Sequence, residues 1–168
     1  MVADSVDSIL DQWSTARPEV DVSPMGILGR LSRLTRLLER EQHTVFSRHG
    51  LQPGEFDILA TLLRADTVAI GLTAGQLAES AMVTSGAITN RLDRLLAKKL
   101  ITRETDPHSR RTIRVALTAK GLELIDAALL EHVANEKAML SVMDSQQLSH
   151  LEDLLRVLLE HHEGLPQA

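Results

Sequence analysis

LTAGQLAESAMVTSGAITNRLDRLLAKKLITRETDPHSRRTIRVAL, residues 72–117, is the stretch whose reading decides the fold. Thr73 is a capping residue ahead of a helix from Ala74 to about Ser80, with Leu77 and Ala78 turned inward. Ala81-Met82-Val83 reads as a tight turn. Thr84 or Ser85 caps a second helix to about Lys99, whose Ile88, Leu92, Leu95 and Leu96 recur at the spacing of a buried helical face. Ile101–Glu104 and Thr112–Leu117 read as two strands, and Ile113, Val115 and Leu117 alternate as a half-buried strand does. The tip between them carries Asp106-Pro107-His108-Ser109-Arg110-Arg111. Helix, turn, helix and basic hairpin in this order make a winged helix-turn-helix. Its second helix fits a DNA major groove, and its hairpin reaches the neighbouring minor groove or backbone.

The flanks read as helices. Residues 4–15 form a short amphipathic helix with Val6, Ile9, Leu10 and Trp13 on one side, ended by Arg17-Pro18. Asp21 or Ser23 caps a long helix with Pro24 in its first turn, running through Ile27, Leu28, Leu31, Leu34, Leu37, Leu38 and Val45 to a stop at Gly50. Pro53 starts a third helix carrying Phe56, Ile58, Leu59, Leu62 and Leu63, and Thr67–Gly71 is a loop. Thr118 caps a helix from Ala119 to about Met139, and a last helix runs from Ser145 to His162. That last helix is apolar over more than one face, through Leu148, Leu151, Leu154, Leu155, Val157, Leu158 and Leu159, so it calls for a partner helix. The expected fold is mainly α: a winged helix-turn-helix with a two-stranded β-hairpin wing and a dimerisation layer of N- and C-terminal helices. The expected organisation is 1–50 for the N-terminal helices (dimerisation and ligand pocket), 51–120 for the DNA-binding domain and 121–168 for the C-terminal dimerisation helices.

Composition agrees. Hydrophobic residues make up 43% of the 168, carried by Leu and Ala, with Trp13, Phe46 and Phe56 the only aromatics, which suits packed helices better than a sheet sandwich. The absence of cysteine excludes disulfides, thiolate redox sensing and Cys-ligated zinc. Met1-Val2-Ala3-Asp4 has no basic segment leading into an apolar run, and no apolar stretch approaches the ~20 residues of a membrane span, so a cytoplasmic protein without a membrane partner is expected. The net charge of −5 is unevenly spread. Thr84–Val115 holds eight basic and three acidic residues, a balance of +5, whereas Gly121–Ala168 holds nine acids against Lys137 and Arg156, a balance of −7. A basic centre beside an acidic tail is a focused anion-binding face.

On DNA, the start of the second motif helix presents small and polar residues, Thr84, Ser85, Gly86, Ala87, Thr89 and Asn90. Hydroxyls and backbone N–H groups there can hold phosphates, Asn90 can pair with adenine, and Arg91 or Arg94 with guanine or phosphate. Arg110 and Arg111 point to opposite sides of a strand, so one can reach DNA while the other pairs with Asp106 and stiffens the loop. Thr73–Ala78, Ser85–Leu92, Lys99-Leu100-Ile101, Asp106–Arg111 and Leu117–Gly121 together resemble the MarR family of transcriptional regulators, over most of the chain from near Pro24 onward. The resemblance implies a homodimer with first and last helices intertwined, bound to a pseudo-palindromic double-stranded operator with half-sites about one helical turn apart. It also implies that Arg111 or Arg110 enters the minor groove with Asp106 in support.

The helix carrying Trp13 is an addition to the minimal pattern and looks like the branch of this family that responds to urate or related small anions. That resemblance implies a pocket formed by Trp13, Asp57, Arg64 and either Arg94 or Arg91. Asp57 and Arg64 are seven residues apart, on one side of a helix and about 10 Å apart along its axis. An anion on Arg64 would repel Asp57 and displace the recognition helix. Arg30, Arg33, Arg36, His43 and Arg48 also suit a polycarboxylate such as citrate or trans-aconitate. The alternatives are a ligand-independent regulator and a metal-responsive one, the latter using the i, i+4 pair Glu39 and His43. No phosphate-binding glycine loop or nucleophile elbow is present, so neither an enzyme nor a cofactor is expected.

Overall fold

Local chemistry sets most helix ends in the computed structural model, which describes residues 2–65, 71–80, 85–106 and 109–164, with the side chains of all but 85–87 and 110. Asp4 caps α1 (Ser5–Ala16), its carboxylate accepting the Val6 N–H at 2.8 Å and the Asp7 N–H at 3.1 Å. The same carboxylate takes Arg30 Nε at 2.8 Å, tying α1 to α2 (Ser23–Arg48). The Arg30 guanidinium holds the Asp4 carboxyl below its ordinary value. The N-cap of α2 is Val22, not Asp21 or Ser23, and makes no side-chain cap; Asp21 accepts the Ser23 N–H at 3.0 Å. Pro24 in the first turn has no N–H to satisfy, which lightens the need for a cap. α3 spans Pro53–Arg64.

The two-stranded hairpin of the wing is present, and a third, short strand extends it to a three-stranded antiparallel sheet. β1 (Leu72–Thr73) pairs with β3 (Ser109–Leu117), Leu72 against Val115, and β3 pairs with β2 (Ile101–Asp106), Ile101 against Leu117. β1 depends on Gly71. Its φ is +75°, and a Cβ there would stand 2.3 Å from the Val115 carbonyl oxygen. α4 (Ala74–Ser80) and α5 (Ser85–Ala97) lie between β1 and β2 in sequence; the expected turn at 81–83, and the expected loop at 67–71 except Gly71, fall outside the described residues. Lys99 closes α5 in the left-handed region, φ 59°, with the Leu100 N–H on Leu95 O at 3.0 Å and its own N–H on Leu96 O at 2.9 Å. This is a Schellman cap with lysine where glycine is usual.

α6 (Ala119–Leu140) opens on Thr118, whose hydroxyl accepts the Gly121 N–H at 2.9 Å, and α7 (Ser145–Glu163) opens on Asp144. One core joins Phe46 of α2, Ile58, Leu59 and Leu62 of α3, Leu77 of α4, Ile88, Leu92 and Leu95 of α5, Val115 of β3, and Ile125 and Ala128 of α6. Leu96, expected inside, is 40% exposed, because the i, i+4, i+7 row of Ile88, Leu92 and Leu95 fills the inward stripe. On α1 only Val6 is buried; Trp13 is 41% exposed, since α1 packs on α2 and one narrow strip is covered. α7 buries no residue at all. Among the described residues no helix is long and apolar enough to cross a membrane.

Candidate nucleic-acid interface

The two helices of the motif are held by reciprocal bonds and by core contacts. Thr73 Oγ1 accepts the Gln76 N–H at 3.2 Å while Gln76 Oε1 accepts the Thr73 N–H at 2.9 Å, a capping box that starts α4 directly from β1. Ile88, Leu92 and Leu95 seat α5 on the core, which leaves Thr89, Asn90 and Asp93 outward. Thr84 lies outside the described residues. Ser85, Gly86 and Ala87 form the first turn of α5, their side chains outside the description.

In the wing, Asp106 is buried and its carboxylate accepts Arg114 Nε. Arg114 Nη1 also donates to Gly71 O at 3.2 Å, so one guanidinium on β3 ties β2 to the residue that leads into β1. Arg114 is thus a brace of Asp106 that the expectation for Arg110 or Arg111 did not include. The strand pairing is irregular between Thr105 and Asp106, next to this contact. Arg111 is exposed; the Arg110 side chain and Pro107-His108 lie outside the described residues. Arg103 Nη1 meets Asp93 Oδ1 at 2.7 Å and couples the base of the wing to the outer face of α5.

The basic residues of α5 turn the other way. A Cβ on Gly54 would stand 2.2 Å from Arg91 Cζ, so the Arg91 guanidinium lies flat on α3 in space that only glycine leaves open. Arg91 Nη1 is buried there with no hydrogen-bond partner. Arg94 Nε lies 3.4 Å from Oε1 of Glu55 and Lys98 Nζ 2.7 Å from its Oε2. Of the residues expected to form a ligand pocket, Arg91 and Arg64 both act electrostatically on Asp57. Burial pushes the Asp57 carboxyl up, against the pull of Arg91, Arg64 and His132, and Asp57 forms no ion pair among the described residues. Arg64 Nη2 donates to Ser80 O at 2.7 Å, closing the end of α4. His132 packs on the rings of Phe46 and Phe56 at centroid distances of 5.1 and 4.9 Å. Glu39 and His43 line a groove of about 580 Å³ on α2 with Arg36 and Arg40, two guanidiniums that favour an anion over a metal cation there. Sequence reasoning missed Glu55, Gly54 and Arg103; a partner on another element leaves no local spacing to read.

A raised carboxyl favours the folded state when protonated. That part of the stability is full below the unfolded value and is lost as pH rises through the raised one. Asp57→Asn is therefore expected to raise Tm at neutral pH and to flatten the decline of Tm in the window above the ordinary aspartate value. Superimposable Tm–pH profiles for variant and wild type would refute it.

A capped helix pair seated on a core and followed by a braced basic wing defines a winged-helix DNA-binding protein. A profile of the MarR family matches residues 49–112. The chain is 36% identical over 156 residues to the HTH-type transcriptional regulator PecS of Dickeya dadantii, covering 93% of each protein. It is 28% identical over 126 residues to the HTH-type transcriptional regulator MhqR of Bacillus subtilis, covering 75% of this chain and 84% of that one. Its fold is similar to that of AbsC, a MarR family regulator from Streptomyces coelicolor, with a TM-score of 0.73 at 23% identity over 87% of this chain and 97% of that one. The chain belongs to the MarR family, DNA-binding transcriptional regulators that act as dimers and not as enzymes.

Proposed function

We propose that this regulator is a cytoplasmic homodimeric repressor that holds a pseudo-palindromic operator and releases it when a small anion enters the seam between α3 and α5. In this reading Thr89 and Asn90 face the base edges, Asn90 selecting adenine. The start of α5, Thr84 through Ala87, holds phosphate, and Arg111 with Arg110 follows the minor groove from a wing stiffened by Asp106 and Arg114. The dimer layer is α7 with α1 and the exposed apolar positions of α2.

One observation carries the ligand: Arg91 Nη1 is buried without an acceptor, and its charge acts on Asp57, a carboxyl pushed up by burial. A buried cation nitrogen left unsatisfied is unfavourable, and an anion's oxygen satisfies it. Arg64 supplies a second cation. An anion drawn to Arg91 and Arg64 repels Asp57, and since Arg91 belongs to α5, its capture shifts the helix that meets DNA. Planar or multiply charged small anions fit two guanidiniums: a urate-like purine, or a polycarboxylate such as citrate or trans-aconitate. Trp13 stays outside the pocket in this proposal.

The test is titration of purified protein on the DNA upstream of its own gene, with and without urate, citrate and trans-aconitate. Salt-sensitive binding relieved by one of these supports the proposal and shows which anion the seam reads. Binding that none of them disturbs removes the seam from the mechanism.

A further inference from the structure

The basic residues Arg91, Arg94 and Lys98 recur at intervals of three and four and so share one face of α5, the helix assigned to the groove. That face looks at the N-terminus of α3. Glu55 there is fully buried, a rare state for a carboxylate. Its Oε2 accepts the Gln52 N–H at 2.8 Å and Lys98 Nζ at 2.7 Å. Lys98 Nζ also donates to Gly50 O at 2.8 Å. The other oxygen, Oε1, lies 3.4 Å from Arg94 Nε, a charge contact rather than an aligned hydrogen bond. On the far side of the helix Asp93 engages Arg103 at 2.7 Å.

We propose that Glu55 determines specificity: its buried carboxylate stands in for a phosphate, withholding Arg94 and Lys98 from the DNA backbone and fixing the rotation of α5 that points Thr89 and Asn90 at the bases. A carboxylate offers a guanidinium or ammonium the same pair of anionic oxygens that a phosphate does. Phosphate contacts carry no sequence information and supply nearly all non-specific affinity. A recognition helix with two basic residues free on its flank would hold any duplex. With both occupied internally, discrimination rests on the groups that read bases. Arg94, 55% exposed and the more loosely held, is the one Glu55 must restrain. The inference rests on α5 being the helix that meets DNA.

The test is Glu55→Gln, which keeps the size of the side chain and an acceptor for the Gln52 N–H. Affinities for the upstream operator and for a scrambled duplex are measured by fluorescence anisotropy between about 50 and 200 mM salt. The slope of log affinity against log salt is expected to steepen by about one on both duplexes, as Arg94 takes up a phosphate. The scrambled duplex tightens about tenfold, more than the operator, so discrimination narrows. Arg94→Gln is expected to remove the extra slope in the Glu55→Gln background and to leave the slope unchanged with Glu55 present. Two results overturn the proposal: both affinities falling together at unchanged slope, which makes Glu55 a purely structural support, or Arg94→Gln alone lowering the slope by about one, which makes Arg94 a phosphate contact already. The second measurement decides even where Glu55→Gln does not fold, since Arg94 is at the surface. Asn90→Ala, read on the operator, checks the placement of α5 separately; unchanged operator affinity there overturns that placement and with it the role given to Glu55.

Discussion

Replacing Leu155 and Leu158 together by aspartate is expected to turn the dimer into monomers and to weaken operator binding by about 10²- to 10⁴-fold, with the winged domain still folded. Leu148, Leu151, Leu155 and Leu158 recur at three, four and three residues, the spacing of a helix–helix seam. No residue of α7 is buried within one protomer, and Leu155 and Leu158 are each 42% exposed. Burying each leucine against a partner is worth about 1.5–3 kcal/mol, and a carboxylate forced into the same seam adds a desolvation penalty of several kcal/mol. The core draws on α2 through α6 and takes nothing from α7, so the loss falls on assembly. Operator affinity falls because a second half-site bound by a tethered domain experiences a millimolar effective concentration, which a monomer lacks. Light scattering gives the mass, and a single half-site duplex gives the control: its affinity is expected to stay near wild type. A variant that remains dimeric would place the interface elsewhere.

The elements that were legible in the sequence are those whose cause is local. Thr73 and Gln76 are three residues apart and form the box that their spacing announces. Ile88, Leu92 and Leu95 bury because the helical period puts them on one face. β1 was not legible. Two residues carry no alternation, and the strand exists only because Gly71 lets its backbone press on Val115. Partner choice among arginines was equally hidden. Arg110, Arg111 and Arg114 all follow Asp106 in the hairpin sequence, and only the folded strand pairing shows that Arg114 meets it. Trp13 shows a further limit. An amphipathic pattern says which side of α1 faces protein, not that protein will cover all of that side.

The arrangement of α5 follows one electrostatic plan. Its basic stripe meets carboxylates at two points of α3 that differ in kind. Glu55 is paired: its Oε2 takes Lys98 and the Gln52 N–H, and Arg94 stands 3.4 Å from its Oε1. Asp57, two residues on, has no ion pair among the described residues and stands near an unsatisfied Arg91. The first contact resists disturbance. In the proposed mechanism the second admits an anion that satisfies Arg91 better than Asp57 does, and that ligand would turn α5 about the point that Glu55 holds.

Gly54→Ala isolates that second contact. The added methyl would stand 2.2 Å from Arg91 Cζ and 2.5 Å from Nη1, so the guanidinium must leave the seam. It is the free end of a flexible side chain, and alanine suits the first turn of α3 better than glycine by about 0.5–1 kcal/mol, so Tm is expected to hold or rise slightly. With Arg91 displaced, Asp57 loses the largest positive influence on it and its carboxyl moves further up. The entering anion loses a charge-assisted hydrogen bond of about 1.5–3 kcal/mol, so half-maximal release of the operator is expected to need about 10- to 100-fold more ligand. Arg91→Ala should show the same insensitivity. The two variants then differ in salt dependence, because in Gly54→Ala the freed guanidinium can take a phosphate and steepen the slope by about one. A release curve superimposed on that of the wild type would exclude Arg91 from the ligand site. Loss of release at unchanged Tm has a narrower cause. One methyl, which carries no charge, has removed Arg91 from the seam and left Arg64, and the coupling between ligand and DNA runs through the Arg91 guanidinium.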